Sequence, residues 1–317
     1  MHMLTKNDHS KLKISVIIPS YNEERNIVVL YKRLHKVFLK LKKYNKEFIF
    51  VDDGSSDNTL KEIIKLSKID KTVKYVSFSR NFGHQCALKA GLDYAGGDCV
   101  ISMDADLQHP PELIKNLLFW WSKGYEVVYT VRNDKETSFF KKITSLLFYK
   151  LINSLSDLNI EYGAADFRLL DRKVVNSIIS LKDSAIFLRG LISWVGFRQK
   201  SIDYSPGKRF SGKTKYSFLK MFRFAINGII SFSIKPLQVS TWIGLILSVF
   251  SFLYLIYTLV VYVFNLGVIS GWTSLIVSIL FLGGIQLLML GIIGEYLGKL
   301  YIETKGRPAY IISETNL

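Results

Sequence analysis

The segment Ile101-Ser-Met-Asp104-Ala-Asp106-Leu-Gln-His-Pro-Pro111 decides the fold class. It begins as an apolar strand, breaks at two carboxylates separated by one residue, and passes through a double proline towards a helix. Carboxylates at the carboxyl end of a strand face the crevice where open α/β sheets bind ligands. Asp104 and Asp106 therefore predict either a site for a hard cation that also contacts substrate phosphates, or an ordinary cap on the following helix.

Short apolar strands alternate with helices through the first 130 residues. The strands are expected at 13–19, 48–51, 73–78, 99–103 and 125–130, with intervening helices at 24–42, from 59, 84–94 and 111–123. This alternation is typical of βαβ units and predicts an α/β fold with a mostly parallel, Rossmann-like sheet. Three strands end in polar clusters, Ser20–Glu23, Asp52–Ser55 and Asp104–Asp106, which a parallel sheet places along one edge.

Two common nucleotide-binding motifs are missing from the sequence. No Gly-x-Gly-x-x-Gly follows the first strand, and no Gly-x-x-x-x-Gly-Lys-Ser/Thr occurs anywhere. The sequence therefore supports neither a redox dinucleotide site nor a P-loop. The interpretation that remains is an acidic, metal-dependent pocket on a Rossmann-like sheet.

The charge of the chain is strongly basic and unevenly distributed. There are 42 Lys and Arg against 26 Asp and Glu, a net charge of +16, which calls for an anionic partner. Between Pro236 and Gly298, Glu295 is the only charged residue, as expected of a segment inside a membrane. Glu295 itself is then either a functional acid within the membrane or a carboxylate at the interface that reaches water. Because much of the basic excess accompanies amphipathic and juxtamembrane segments, we expect a lipid bilayer and phosphorylated substrates, and no nucleic acid, as partners.

Two apolar segments, 237–265 and 272–298, are each longer than the ~20 residues that a helix needs to cross a bilayer. They predict a transmembrane hairpin within 236–300 whose short turn carries no Lys or Arg. Basic residues flank its other end: Lys235, Lys299, Lys305 and Arg307. The positive-inside rule then places the strand-rich domain and both termini in the cytoplasm.

The remaining domain boundaries follow from composition. Residues 1–12 are polar and expected to be disordered, 13–216 are expected to form the cytoplasmic domain that contains the sheet, and 301–317 a cytoplasmic tail. Segments 138–155 and 217–235 combine helically spaced apolar residues with Lys and Arg. We expect them to be amphipathic helices in the membrane interface, or alternatively core-facing helices of a soluble domain.

Five motifs in order carry a resemblance to a known family: Pro19-Ser-Tyr-Asn-Glu23, Val51-Asp-Asp-Gly-Ser-Ser-Asp57, Arg80-Asn-Phe-Gly83, Asp104-Ala-Asp-Leu-Gln108 and Ala165-Asp-Phe-Arg168. With the hairpin, the chain from Ile14 to Arg307 resembles the family-2 GT-A glycosyltransferases that charge polyprenyl phosphates. The nearest group is the bacterial GtrB-type undecaprenyl-phosphate glucosyltransferases, and dolichol-phosphate mannose synthases are related.

The resemblance implies a donor site for a nucleotide sugar. Its nucleotide-binding residues would be Pro19, Tyr21, Glu23, Asp53, Asp104 and Gln108, with Asp52 as a possible exchange partner for Asp53. Asp104 and Asp106 would hold Mg²⁺ or Mn²⁺ against the donor diphosphate.

The resemblance also implies an acceptor site. Asp166 matches the position of a catalytic base, and Arg168 is its cationic neighbour. A phosphate acceptor has a second pKa of about 6 and little proton to lose, so orienting the acceptor or a cation is the other role for Asp166. Arg209 and Lys215 would bind the acceptor phosphate, unless they belong to a solvated basic loop beside anionic lipid.

The expected function is transfer of a sugar, glucose from UDP-glucose, to undecaprenyl phosphate on the cytoplasmic leaflet of a bacterial inner membrane, with inversion. The alternatives are a polyprenyl-phosphate mannose or aminoarabinose transferase and, in a different class, a non-catalytic lipid-binding scaffold or transporter subunit. Glycines along the second span favour packing between protomers, hence a homo-oligomer. A flippase acting on the product is a further expected partner.

Overall fold

The computed structural model describes residues 11–132, 161, 163–181, 187–205, 230, 233–264 and 271–317, which fall into two compact units. The first unit contains the sheet, its helices and residues 308–317; the second contains two long helices. The expected amphipathic helix at 138–155, and nearly all of the one at 217–235, lie outside the described residues.

The first unit is built on one eight-stranded sheet. Its strands are β1 (Lys13–Ser20), β2 (Asn45–Asp52), β3 (Val73–Phe78), β4 (Cys99–Ser102), β5 (Val127–Arg132), β6 (Ala164–Asp171), β7 (Gln199–Tyr204) and β8 (Ile312–Thr315), in the order β7-β5-β6-β4-β1-β2-β3-β8. The four central strands β4, β1, β2 and β3 are parallel, as predicted. β6 lies antiparallel between β4 and β5, and β8 is antiparallel to β3, so the complete sheet is mixed.

Amphipathic helices cover the sheet. They are α1 (Glu24–Leu39), α2 (Thr59–Ile69), α3 (His84–Tyr94), a 3-10 turn (Pro111–Leu113), α4 (Ile114–Ser122), α5 (Arg172–Ser180) and α6 (Leu188–Trp194). α1 buries Ile27, Leu30 and Leu34, which the 3.6-residue repeat aligns on one face. α3 approaches β1 so closely that a Cβ at Gly91 would lie 2.8 Å from Cβ of Ile17. Glycine at this position therefore permits the helix to pack on the strand.

The carboxyl ends of β4, β1 and β2 lie side by side, which confirms the predicted edge. The amide of Asp53 donates to the carbonyl of Ser20 at 2.9 Å, and the amide of Asn22 donates to Oγ of Ser55 at 3.0 Å. Among the described residues, the two non-glycine residues with positive φ, Asn22 (57°) and Leu107 (64°), both lie at this edge. Such conformations cluster at functional sites.

Residues 308–317 contain the last strand, β8, which forms one edge of the sheet beside β3. β8 pairs with β3, and Glu314 Oε1 accepts a hydrogen bond from the Tyr75 hydroxyl at 2.6 Å. The side chain of Asn316 also accepts from the amide of Tyr75 at 2.7 Å. Sequence patterns did not predict this strand, which turns the expected tail into part of the sheet.

The second unit contains α7 (Lys235–Val263) and α8 (Trp272–Thr304), of 29 and 33 residues. At 1.5 Å per residue they are roughly 44 and 50 Å long, enough to cross a ~30 Å hydrocarbon layer. Both contain apolar stretches, with mean hydropathies of 2.1 and 2.5, whose surface is not buried by protein. α8 extends past the predicted end at 298 and stops before Gly306, which adopts a positive φ of 57°.

Candidate active site

Hydrogen bonds from backbone amides to side chains within the acidic loop after β4 fix its conformation. The amide of Asp104 donates to Nδ1 of His109 at 3.1 Å, and Oδ1 of Asp106 accepts from the amide of Gln108 at 3.1 Å. His109 is buried and stacks on Phe167 of β6, so it anchors the loop to the sheet. No side-chain hydrogen bond caps the 3-10 turn or α4, so neither carboxylate acts as the helix cap that the sequence left open.

The carboxylate of Asp104 suits a cation. Its Oδ1 atom is buried and accepts no hydrogen bond in the described part of the chain, where it has a long ion-pair contact with Nε2 of His84, at 3.5 Å. A buried acceptor left without a donor is costly unless another group satisfies it. No cluster of three or more His, Cys, Asp and Glu that could hold a metal occurs among the described residues, but Mg²⁺ is commonly bound by one or two carboxylates plus substrate phosphates and water. The pair Asp104 and Asp106 therefore fits a divalent cation that arrives with a phosphorylated ligand.

Asp166 on β6 lies in a cluster of cations. Arg189 of α6 binds it with both sides of its guanidinium, Nε to Oδ1 at 2.8 Å and Nη2 to Oδ2 at 3.0 Å. Nη2 of Arg168 lies 3.3 Å from Oδ1 and also donates to the carbonyl of Ala165 at 2.8 Å. Burial alone would raise the pKa of Asp166, but Arg189 and His84 outweigh it and hold the pKa well below its usual range. Asp166 is thus an ionised carboxylate with little affinity for a proton.

His84, the first residue of α3, connects the two acidic groups. Its Nε2 atom lies 3.5 Å from Oδ1 of Asp104 and 3.5 Å from Oδ2 of Asp166. Burial favours the neutral ring, but these two carboxylates prevail and raise the pKa of His84 to about 9. The imidazolium therefore stands between the predicted metal ligand and the predicted acceptor-side carboxylate.

The two acids at the carboxyl end of β2, Asp52 and Asp53, are buried. Oδ1 of Asp53 accepts from the amide of Phe82 at 2.7 Å, and Oδ2 accepts from that of Gly83 at 3.0 Å. Burial raises the pKa of Asp53. Asp52 accepts from the hydroxyl of Ser77 at 3.0 Å. In the described structure Asp53 fixes the loop between β3 and α3, which is the loop that positions His84.

The other predicted donor residues lie at the same edge. Pro19 is buried at the end of β1, whereas Tyr21 is 40% exposed beyond it. The amide of Glu23 donates to Oγ1 of Thr59 at 2.8 Å, which ties the β1 loop to α2. Oε1 of Gln108 accepts from Arg132 at 3.3 Å.

Sequence reasoning missed His84, His109 and Arg189, and placed acceptor-binding residues at Arg209 and Lys215, which lie outside the described residues. A signal for Arg189 was present: it is a lone cation in the apolar run Leu188-Arg-Gly-Leu-Ile192. A charged side chain in such a helix requires a partner, but the sequence does not identify Asp166 as that partner.

The family model described as Glycosyl transferase family 2 matches residues 15–179, and the model described as GtrB C-terminal hairpin matches residues 235–300. The chain belongs to glycosyl transferase family 2, and its sheet is the Rossmann-like GT-A fold of that family. The hairpin match falls on α7 and α8, so this glycosyltransferase is associated with a membrane.

Relatives match along nearly the whole chain. The uncharacterized glycosyltransferase YkcC of Bacillus subtilis (strain 168) is 45% identical, over 96% of this chain and 94% of its own. The SfII prophage-derived bactoprenol glucosyl transferase of Shigella flexneri is 43% identical, over 96% and 99% of the two chains. The prophage bactoprenol glucosyl transferase homolog of Escherichia coli (strain K12) is 42% identical, over 95% and 98%.

Proposed function

We propose that the protein transfers glucose from UDP-glucose to a polyprenyl phosphate, undecaprenyl phosphate, with inversion at the anomeric carbon. The observation that carries this proposal is the placement of His84 Nε2 at 3.5 Å from both Asp104 and Asp166, because it brings the donor-side and acceptor-side acids together. The names of relatives that are 42–43% identical over almost their whole length, bactoprenol glucosyl transferases, support glucose and a polyprenol as substrates.

Asp104 and Asp106 would hold Mg²⁺ or Mn²⁺ at the donor diphosphate, as the buried Oδ1 of Asp104, which accepts no hydrogen bond among the described residues, suggests. A divalent cation there supplies positive charge that stabilises the leaving nucleoside diphosphate. Tyr21, a residue that is 40% exposed next to the buried Pro19, would contact the nucleotide. Glu23, Asp52, Asp53 and Gln108 would complete or support that side of the site.

On the acceptor side the nucleophile is a phosphate oxygen. A phosphate monoester is largely dianionic at neutral pH, so attack on the sugar requires orientation more than removal of a proton. Asp166, held by Arg168 and Arg189, is suited to that role. Arg209 and Lys215 would also bind the acceptor phosphate. A single in-line displacement predicts a β-linked product from an α-linked donor.

The two long helices would anchor the enzyme where its lipid acceptor resides. The basic residues on one side of the hairpin support a topology with both termini and the catalytic domain in the cytoplasm of a bacterium. The product would then form on the cytoplasmic leaflet, and a separate flippase would be needed to use it outside. We propose a homo-oligomer packed through the glycines of α8.

The test is a donor panel. Purified full-length protein in detergent is incubated with undecaprenyl phosphate and UDP-glucose, GDP-mannose or UDP-aminoarabinose, with Mg²⁺, Mn²⁺ or EDTA, and the lipid product is identified by mass and anomeric configuration. The proposal predicts a β-linked hexose product from UDP-glucose that disappears with EDTA. Product from another donor alone would change the sugar, an α-linked product would exclude inversion, and no lipid product from any donor would favour a non-catalytic scaffold.

A further inference from the structure

Arg189 is the side chain that most completely engages Asp166. It occupies both carboxylate oxygens, at 2.8 and 3.0 Å, whereas Arg168 reaches one oxygen at 3.3 Å. A planar guanidinium paired in this way neutralises the carboxylate and also fixes its orientation. A lysine would neutralise the carboxylate but, as a point charge, would not fix its orientation. The orientation of Asp166 is therefore determined by a residue from a different element, α6.

The position of Arg189 is itself well defined. Its neighbours Leu188, Leu191 and Ile192 are buried, which anchors α6 in the first unit. The amide of Leu188 donates to Oε1 of Gln85 at 3.1 Å, next to His84 in the first turn of α3. α6 and α3 thus deliver Arg189 and His84 to the same carboxylate, that of Asp166.

The pair of Asp166 and Arg189 is largely shielded from water. The side chains of Arg168 and Asp166 are only 7% and 10% exposed, and that of Arg189 is 26% exposed. A charge-assisted pair in such surroundings keeps its geometry, so Asp166 presents its carboxylate in a fixed direction.

We infer that Arg189 is a positioning residue for the acceptor: it locks the carboxylate of Asp166 in the orientation that directs the polyprenyl phosphate. This inference rests on the proposed function and deepens it, because it assigns Asp166 to orientation rather than proton removal. A purely structural role, in which Arg189 only neutralises a buried acid, would affect folding without distinguishing between donor and acceptor.

The experiment compares Arg189→Gln, Arg189→Lys and a control, Arg198→Gln, which changes an exposed arginine that stacks on Tyr125. Steady-state constants for UDP-glucose and for undecaprenyl phosphate are measured separately, together with the Tm of each variant. We expect Arg189→Gln to lower kcat/KM for undecaprenyl phosphate by about 100-fold, the scale of a small misplacement of a reacting group, with the donor KM unchanged. Arg189→Lys should recover part of the loss, and Arg198→Gln should match the wild type.

A comparison of the double variant with Asp166→Asn keeps the inference testable if Arg189→Gln does not fold; if it does fold, the four proteins form a double-mutant cycle. Asp166→Asn with Arg189→Gln removes both charges, and we expect its acceptor kcat/KM to equal that of Asp166→Asn alone, because Arg189 acts through Asp166. Wild-type acceptor constants in Arg189→Gln, full recovery by lysine, additive losses in the cycle, or an equal rise in donor KM would each overturn the inference. Failure of the wild type to form any glycolipid would instead refute the proposed function.

Discussion

The ring of Tyr310 stacks on the ring of Phe78, with 5.0 Å between their centroids and 16° between their planes. Phe78 also meets Phe82 edge to face at 5.7 Å, and the amide of Phe82 donates to Asp53. The hydroxyl of Tyr310 donates to Oδ2 of Asp93 at 2.8 Å, and burial together with this carboxylate raises the pKa of Tyr310. The segment that follows the second long helix thus supports the loop that carries His84.

Replacement of Tyr310 by alanine should weaken this support. The loss of one stacked pair and one hydrogen bond to a carboxylate should lower the free energy of unfolding by about 2 kcal/mol. Tyr310→Phe keeps the ring and should lose about half as much. We expect both variants to have a lower Tm in detergent, and Tyr310→Ala to bind UDP more weakly in titration calorimetry. Unchanged Tm and UDP affinity in Tyr310→Ala would refute the link between this segment and the loop.

Gly54 should tolerate no side chain, because of where the chain passes and not only because of its φ. A Cβ at Gly54 would lie 2.4 Å from the carbonyl carbon of Arg80, in the loop that Asp53 anchors. Gly124 has a comparable positive φ, 88° against 66°, but open space around its Cβ, so it provides a matched control. Both alanine variants carry a backbone strain of about 1 kcal/mol, and only Gly54→Ala must also displace backbone. We expect the larger fall in Tm, and a loss of UDP binding, in Gly54→Ala alone; equal effects in the two variants would show that the close contact is relieved at no cost.

The central sheet and its polar edge could be predicted because local patterns encode them. β3 and α3 begin and end at the predicted residues, and the strands carrying Ser20–Glu23, Asp52–Ser55 and Asp104–Asp106 are neighbours in the sheet. Apolar runs that end in polar clusters reflect burial of each strand on both faces, a property of the segment itself. The two apolar spans were likewise predicted from length and composition, whereas the expected roles of the site residues came from the family resemblance.

The parts that escaped prediction depend on distant partners. β8 is a four-residue strand, Ile-Ser-Glu-Thr, with no strong periodicity, and it forms because β3 offers an unpaired edge. Arg189 and Asp166 are 23 residues apart and come together only when α6 packs on the sheet. His84 likewise acquires its role through contacts with Asp104 and Asp166, which no motif in its own segment specifies.

Glu47, near the amino end of the central strand β2, should set the acid stability of the first unit. Burial by itself raises the pKa of Glu47, but hydrogen bonds from Lys13, Ser15, the amide of Gly96 and Lys74 prevail and lower it from 4.5 to about 2. A depressed pKa contributes stability that is present above about 4.5 and is lost as the pH falls towards 2. The shift corresponds to roughly 3 kcal/mol. Glu47→Gln should therefore lower the Tm at pH 7 and flatten the dependence of Tm on pH over that window, measured by thermal unfolding. A wild-type slope in the variant would show that other acids dominate.

Asp104 should be required for activity but not for folding. Asp104→Asn removes charge and weakens the 3.5 Å ion pair with His84, but it breaks no hydrogen bond at Oδ1 in the described structure. With the carboxylate replaced by an amide, a divalent cation loses a hard anionic ligand at the donor diphosphate. We expect glycolipid formation to fall at least about 100-fold, the Mn²⁺ dependence of UDP binding to disappear in calorimetry, and the Tm to remain near that of the wild type. Asp106→Asn should behave in the same way, whereas Asp203→Asn, at an exposed position on β7, should keep wild-type activity and metal response. Mn²⁺-dependent UDP binding that persists in both Asp104→Asn and Asp106→Asn would place the metal elsewhere and leave this acidic loop with a structural role.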